Sequence, residues 1–245
     1  MPLALFALTI GAFAIGTTEF VIVGLVPTIA QQLSISLPSA GLLVSIYALG
    51  VAIGAPVLTA LTGRMPRKQL LLALMALFTA GNLLAWQAPG YETLVLARLL
   101  TGLAHGVFFS IGSTIATSLV AKEKAASAIA MMFGGLTVAL VTGVPLGTFI
   151  GQHFGWRETF LALSILGVIA LMSSLILVPG NIPGRVSAGL RAQLKVLTHP
   201  RLLIIYAITA LGYGGVFTAF TFLAPMMQDL AGFSPSAVSW ILLGY

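Results

Sequence analysis

Hydrophobic runs broken by brief polar punctuation order the whole chain. They cover Leu3–Ala30, Ala40–Leu61, Gln69–Trp86, Thr93–Val120, Ala125–Ile150, Thr159–Val178 and Leu202–Met227. Each approaches or exceeds the roughly 20 residues a helix needs to cross a hydrocarbon layer. An eighth run opens at Ala237 and reaches Tyr245, too short to cross. The connections SISLPS, QAPGYE, HFGWRE and AGFSPS carry the Pro, Gly and Ser signals of turns. The pattern predicts an all-α, polytopic membrane helical bundle.

Composition agrees. Charged residues make up 7% of the 245 and hydrophobic ones 59%, where a soluble domain carries roughly 25% charge. Cysteine is absent, which excludes disulfides, haem attachment and thiol catalysis. The net charge of +6 is explained by its distribution. Arg64, Arg67, Lys68, Lys122, Lys124, Arg185, Arg191, Lys195 and Arg201 fall on one side of the predicted spans, and Arg157 alone on the other. That asymmetry predicts a cytoplasmic N-terminus in a plasma (inner) membrane. Lipid headgroups are the expected contact of the basic side, and no nucleic acid is expected.

The segment PGNIPGRVSAGLRAQLKVLTHP separates six spans from the remainder, with Leu190, Leu194 and Leu197 on one amphipathic face. The expected organisation is a six-helix bundle over residues 1–178, a cytoplasmic linker over 179–200, and the start of a second bundle over 201–245 in a truncated chain. Spans two and five share glycine–proline segments, and spans one and four share ionisable residues, a hint of nested three-helix repeats.

Ionisable groups inside apolar spans cost at least a few kcal/mol when charged, so they are candidates for function. Glu19 lies roughly 24 Å along the first span at about 1.5 Å per residue. It reads as a proton-coupling or cation-binding carboxylate, or as a protonated side chain joining helices. Thr17 and Thr18 beside it can donate hydrogen bonds. In the fourth span Arg98, Thr101, Gly102, His105, Phe109 and Gly112 recur at spacings of three and four. Arg98 is the expected electrostatic partner of Glu19 or a gate on proton access. His105 is either a relay or a neutral hydrogen-bond bridge. Tyr206, Thr209 and Tyr213 of span seven either line a cavity, with Thr18 and Thr101, or pack. Gly50/Gly54, Gly102/Gly106 and Gly143/Gly147/Gly151 predict close helix approach. The enzyme signatures HExxH, Walker A, GxSxG and the dinucleotide fingerprint are absent, and the scattered acids form no paired-carboxylate site. No catalytic residue, metal site or cofactor is expected.

These residues resemble the major facilitator superfamily, drug:proton antiporter branch. TALTGRMPRKQ resembles its loop signature, with Arg64, Arg67 and Lys68 at the basic positions and Gly63 where an aspartate is usual. ARLLTGLAHG resembles its fourth-span signature through Arg98 and Gly102, with Thr101 replacing glutamine. GVPLGTFIGQHFGWRETF resembles its antiporter signature, matching at Gly143 and Gly147. GTTEF, GVPLGT and GWRETF together most resemble arabinose-efflux-permease-like small-molecule exporters. The resemblance implies a twelve-span, two-bundle carrier, monomeric as the full-length protein. It would export a sugar-like or drug-like molecule in exchange for protons by alternating access. A facilitator or proton-coupled importer is the alternative on that fold, and a non-transporting receptor or scaffold is the third class.

Overall fold

A computed structural model describes residues 2–182 and 198–244. The helices are α1 (Leu3–Leu33), α2 (Leu37–Leu61), α3 (Arg67–Trp86), α4 (Tyr91–Ser118), α5 (Ala125–Val138), α6 (Val144–Phe154), α7 (Trp156–Leu177), α8 (Pro200–Thr221) and α9 (Pro235–Gly244). The five-residue π-helical stretch Ala139–Gly143 joins α5 to α6, so these two make one span. Among the described residues, seven helical segments are long and apolar enough to cross a membrane. The amphipathic stretch with Leu190, Leu194 and Leu197 lies outside the described residues.

Local chemistry sets several boundaries. Ser36 caps α2 by accepting from the Ser39 amide at 3.2 Å, leaving one donor fewer without a partner at the helix start. The π turn precedes Pro145. That proline has no N–H for the Val141 carbonyl, and its ring crowds the same group. The chain widens by one residue, and the Val144 amide bonds to Ala139 instead. At the end of this span the predicted HFGWRE loop is replaced by helix. α6 continues to Phe154, and Gly155 alone turns the chain into α7. Its φ of 104° is a conformation that glycine tolerates without steric cost. The seventh span also departs from the pattern: α8 stops at Thr221, followed by a single turn at Leu223–Pro225 and a π turn at Met226–Leu230.

Two of the close seams between the spans are built on the predicted glycines. α2 lies against α4, where Gly102 faces the Tyr47 carbonyl and Gly106 the Val51 carbonyl. α1 lies against α5 and α6, where Gly143 abuts Thr17 and Gly147 abuts Val21. Side chains larger than hydrogen would separate either pair.

Most of the buried apolar residues fall into two large clusters. One gathers Leu8, Ile15, Leu74, Phe78, Phe108, Ile115 and Met132. The other gathers Ile22, Leu25, Leu43, Leu94, Trp156 and Phe160. Between them along α1, α3 and α4 runs a polar belt: Thr17, Thr18, Glu19, Thr79, Asn82, Arg98 and Thr101. α8 stays largely exposed and touches α1 near its C-terminal end, where Phe217 and Phe220 meet Phe20 at ring separations of 5.7 and 6.1 Å. α9 lies on α6, with Val238 buried beside Val144 and Ala224.

Candidate functional site

Arg98 is the centre of the belt. Its side chain is 1% exposed. Nη1 donates to the Thr18 carbonyl of α1 at 2.8 Å, and Nε donates to the Leu43 carbonyl of α2 at 3.3 Å. The guanidinium also lies 4.2 Å from the centroid of the Tyr47 ring. One side chain on α4 therefore grips two neighbouring helices. Hydrogen bonds to a charged donor contribute about 1.5–3 kcal/mol each, and a desolvated cation–π contact about 2 kcal/mol. Together these offset the few kcal/mol needed to hold an arginine at this depth. Nη2 is buried and has no hydrogen-bond partner among the described residues.

His105 lies two turns further along α4. Its Nδ1 is 3.0 Å from the Tyr47 hydroxyl and 3.8 Å from Glu19 Oε2. The imidazole also packs against Phe109, with ring centroids 5.0 Å apart, and Phe109 in turn meets Phe133 of α5 at 4.9 Å. Glu19 keeps 19% of its side chain exposed and His105 14%, whereas Arg98 is sealed.

The structure brings Glu19, Arg98 and His105 into one neighbourhood, with Arg98 within electrostatic range of Glu19 but not in direct contact with it. Among the described residues the ion-pair contact of Glu19 is with His105, whereas Arg98 spends its bonds on backbone carbonyls. Thr18 and Thr101 do not line open space. The Thr18 hydroxyl turns to Asn82 Oδ1 at 3.5 Å. Thr101 packs against Gly81 of α3 and bonds to the Ala97 and Arg98 carbonyls at 2.9 and 3.0 Å. The reason is geometric: a step of three residues on a helix leaves about 60° of rotation, enough to move Thr101 off the Arg98–His105 face. Tyr206 and Tyr213 are 43% and 66% exposed, and Thr209 is exposed as well. Of the loop residues, Arg64 is exposed, while Lys68 Nζ donates to the Leu175 carbonyl at 2.7 Å and ties the start of α3 to the end of α7.

Sequence reasoning missed two members of the neighbourhood. Tyr47 is a lone aromatic hydroxyl in the second span, and Asn82 an amide deep in the third. Each was visible as a polar interruption of an apolar run. The carbonyls of Thr18 and Leu43 carry no sequence signal at all.

A membrane-spanning bundle that buries a cation beside a partly exposed acidic side chain is what these helices build. The profile described as the Major Facilitator Superfamily matches residues 8–245, and the chain belongs to that family. It is 54% identical to the uncharacterized MFS-type transporter YtbD of Bacillus subtilis (strain 168), covering 99% of this chain and 61% of that protein. A chloramphenicol resistance protein of Streptomyces lividans is 36% identical over 99% of this chain and 63% of its own length. The chain therefore spans about three-fifths of these relatives. In three dimensions it matches a bacterial homologue of the human lysosomal transporter Spinster, crystallised inward-facing and unoccupied. The TM-score is 0.73 at 20% identity, over 99% of this chain and 58% of that one.

Proposed function

We propose that the full-length protein is a secondary active transporter that exports a small, sugar-like or drug-like molecule in exchange for protons. It would work by alternating access in a plasma (inner) membrane, with a cytoplasmic N-terminus. The observation that carries this reading is the partly exposed Glu19 carboxylate beside His105 and Arg98, within a polar belt between two apolar clusters. An ionisable group there is costly to keep charged and has a basic side chain to exchange protons with. The name of the Streptomyces relative supports export of an amphiphilic, drug-like solute as one branch of the reading.

The test is Glu19→Gln in the full-length protein, in inverted vesicles offered chloramphenicol and a panel of free sugars. Glutamine keeps a donor and an acceptor but cannot titrate. Gradient-driven accumulation should fall at least about tenfold, or about 1.4 kcal/mol at that scale, while solute exchange without a gradient persists. Intact accumulation would reduce Glu19 to helix packing. Loss of exchange as well would make it a substrate ligand, favouring a facilitator.

A further inference from the structure

We infer that Tyr47 gates proton exchange between Glu19 and His105. The inference rests on the proton-coupled reading above and adds a residue to its machinery. His105 Nδ1 has two oxygens within reach: the Tyr47 hydroxyl at hydrogen-bond distance, 3.0 Å, and Glu19 Oε2 just beyond it, 3.8 Å. An imidazole nitrogen offers a single in-plane site, either a lone pair or an N–H, so these oxygens compete for it. In the arrangement seen, the tyrosine holds the site.

Its hold is built in. The Tyr47 ring is 2% exposed and lies under the Arg98 guanidinium, which also bonds the Leu43 carbonyl one turn earlier on α2. Gly102 of α4 abuts the Tyr47 carbonyl, so α2 lies close against α4 in this arrangement. Among the described residues, the charged and titratable groups around His105 are Glu19 from α1, Tyr47 from α2 and Arg98 from α4. α5 contributes the apolar Phe133 through Phe109.

With Tyr47 donating its O–H to Nδ1, the imidazole carries its proton on Nε2 and is neutral. The site facing Glu19 is then occupied. When a shift of α2 against α4 withdraws the hydroxyl, a protonated Glu19 can pass its proton from Oε2 to Nδ1. The products are a carboxylate and an imidazolium that keeps its Nε2 proton; the reverse transfer restores both. Tyr47 takes up no net proton in either direction. It is a positioning residue, and the relative placement of α2 and α4 becomes the variable that permits or forbids the transfer.

Histidine-nitrogen NMR on the full-length protein in lipid bilayers, at neutral pH and without transported solute, tests this directly. The His105 signal is assigned by its loss in His105→Asn. In the wild type, Nδ1 should give an acceptor-type signal and Nε2 an N–H signal. In Tyr47→Phe, which keeps the ring and its packing, Nδ1 should move to the N–H range as Glu19 takes the site. The shift should vanish in Tyr47→Phe combined with Glu19→Gln. A protonated Nδ1 in the wild type, an unchanged signal in Tyr47→Phe, or a shift that persists without the Glu19 carboxylate would each overturn the gate. The wild-type spectrum decides even if Tyr47→Phe does not fold. Because this readout involves no transport, failure of the gate is distinct from failure of Glu19→Gln to uncouple accumulation.

Discussion

Arg98 and Arg157 each rest a guanidinium on an aromatic ring, 4.2 Å from the Tyr47 centroid and 4.3 Å from the Trp156 centroid. Each also donates to backbone carbonyls. The difference lies in how many elements each one joins. Arg157, at the start of α7, sends Nε and Nη2 to one acceptor, the Ala88 carbonyl in the α3–α4 connection, at 3.1 and 2.7 Å. It is partly exposed and acts as a clasp at the bundle's edge. Arg98 sends two nitrogens to two helices, has no partner for a third among the described residues, and sits against the ring whose hydroxyl reaches His105. The same side chain on the same kind of platform is an anchor in one place and part of a polar network in the other. Burial and the number of elements joined separate the roles.

The widest gap between the two should appear on truncation. Arg98→Ala removes the donor to both the Thr18 and Leu43 carbonyls and the cation over Tyr47, inside a sealed belt. A loss of about 2–6 kcal/mol of stability is expected, from about 1–3 kcal/mol for each buried carbonyl left without its donor. Gradient-driven accumulation by the full-length protein should be abolished. The check is an unfolding midpoint in detergent together with vesicle transport. A variant that folds normally and transports normally would place Arg98 in the same class as Arg157.

Gly102→Ala is expected to follow. It leaves both arginines in place but sets a methyl group against the Tyr47 carbonyl. Overpacking of this kind costs about 1–3 kcal/mol. Since α2 must retreat from α4, the change should act on the Arg98 neighbourhood and not on the distant Arg157 clasp. A control is Gly134→Ala in α5, where an added methyl would meet nothing within contact range. It should be neutral or stabilising by up to about 1 kcal/mol from helix propensity alone. Equal effects of the two alanines on transport would show that seam closeness does not control the site.

How much of this was legible beforehand follows from where each feature is encoded. The seven spans were plain, because bilayer burial writes itself into every residue of a run. Glu19, Arg98 and His105 stood out because charge inside such a run is rare. The hydrogen bonds of Arg98 carry no such signal. Arg98 is satisfied by carbonyls of Thr18 and Leu43, and any residue supplies a carbonyl. Thr101 leaves the predicted face because three residues stop about 60° short of a full helical turn. The Phe154 end of α6 was missed because one glycine at positive φ can replace a loop that composition suggests.

The smallest effect is expected from charge-conserving exchange, and it isolates geometry from charge. Lysine has one ammonium where arginine has a planar fork, so it serves one acceptor well and two separated acceptors poorly. Both bonding nitrogens of Arg157 converge on the Ala88 carbonyl. Arg157→Lys can satisfy that carbonyl with a single bond, lying partly in solvent where an exposed interaction contributes about 0–1 kcal/mol. A stability loss below about 1 kcal/mol and unchanged transport are expected, by the same unfolding and vesicle measurements. At Arg98 the acceptors lie on α1 and α2, and lysine must leave one of them while also losing the flat contact with Tyr47. Arg98→Lys should therefore cost more than Arg157→Lys although charge is kept in both. If the two lysine variants lose equal stability, the fork geometry of Arg98 does not matter and the contrast between the two arginines reduces to depth alone.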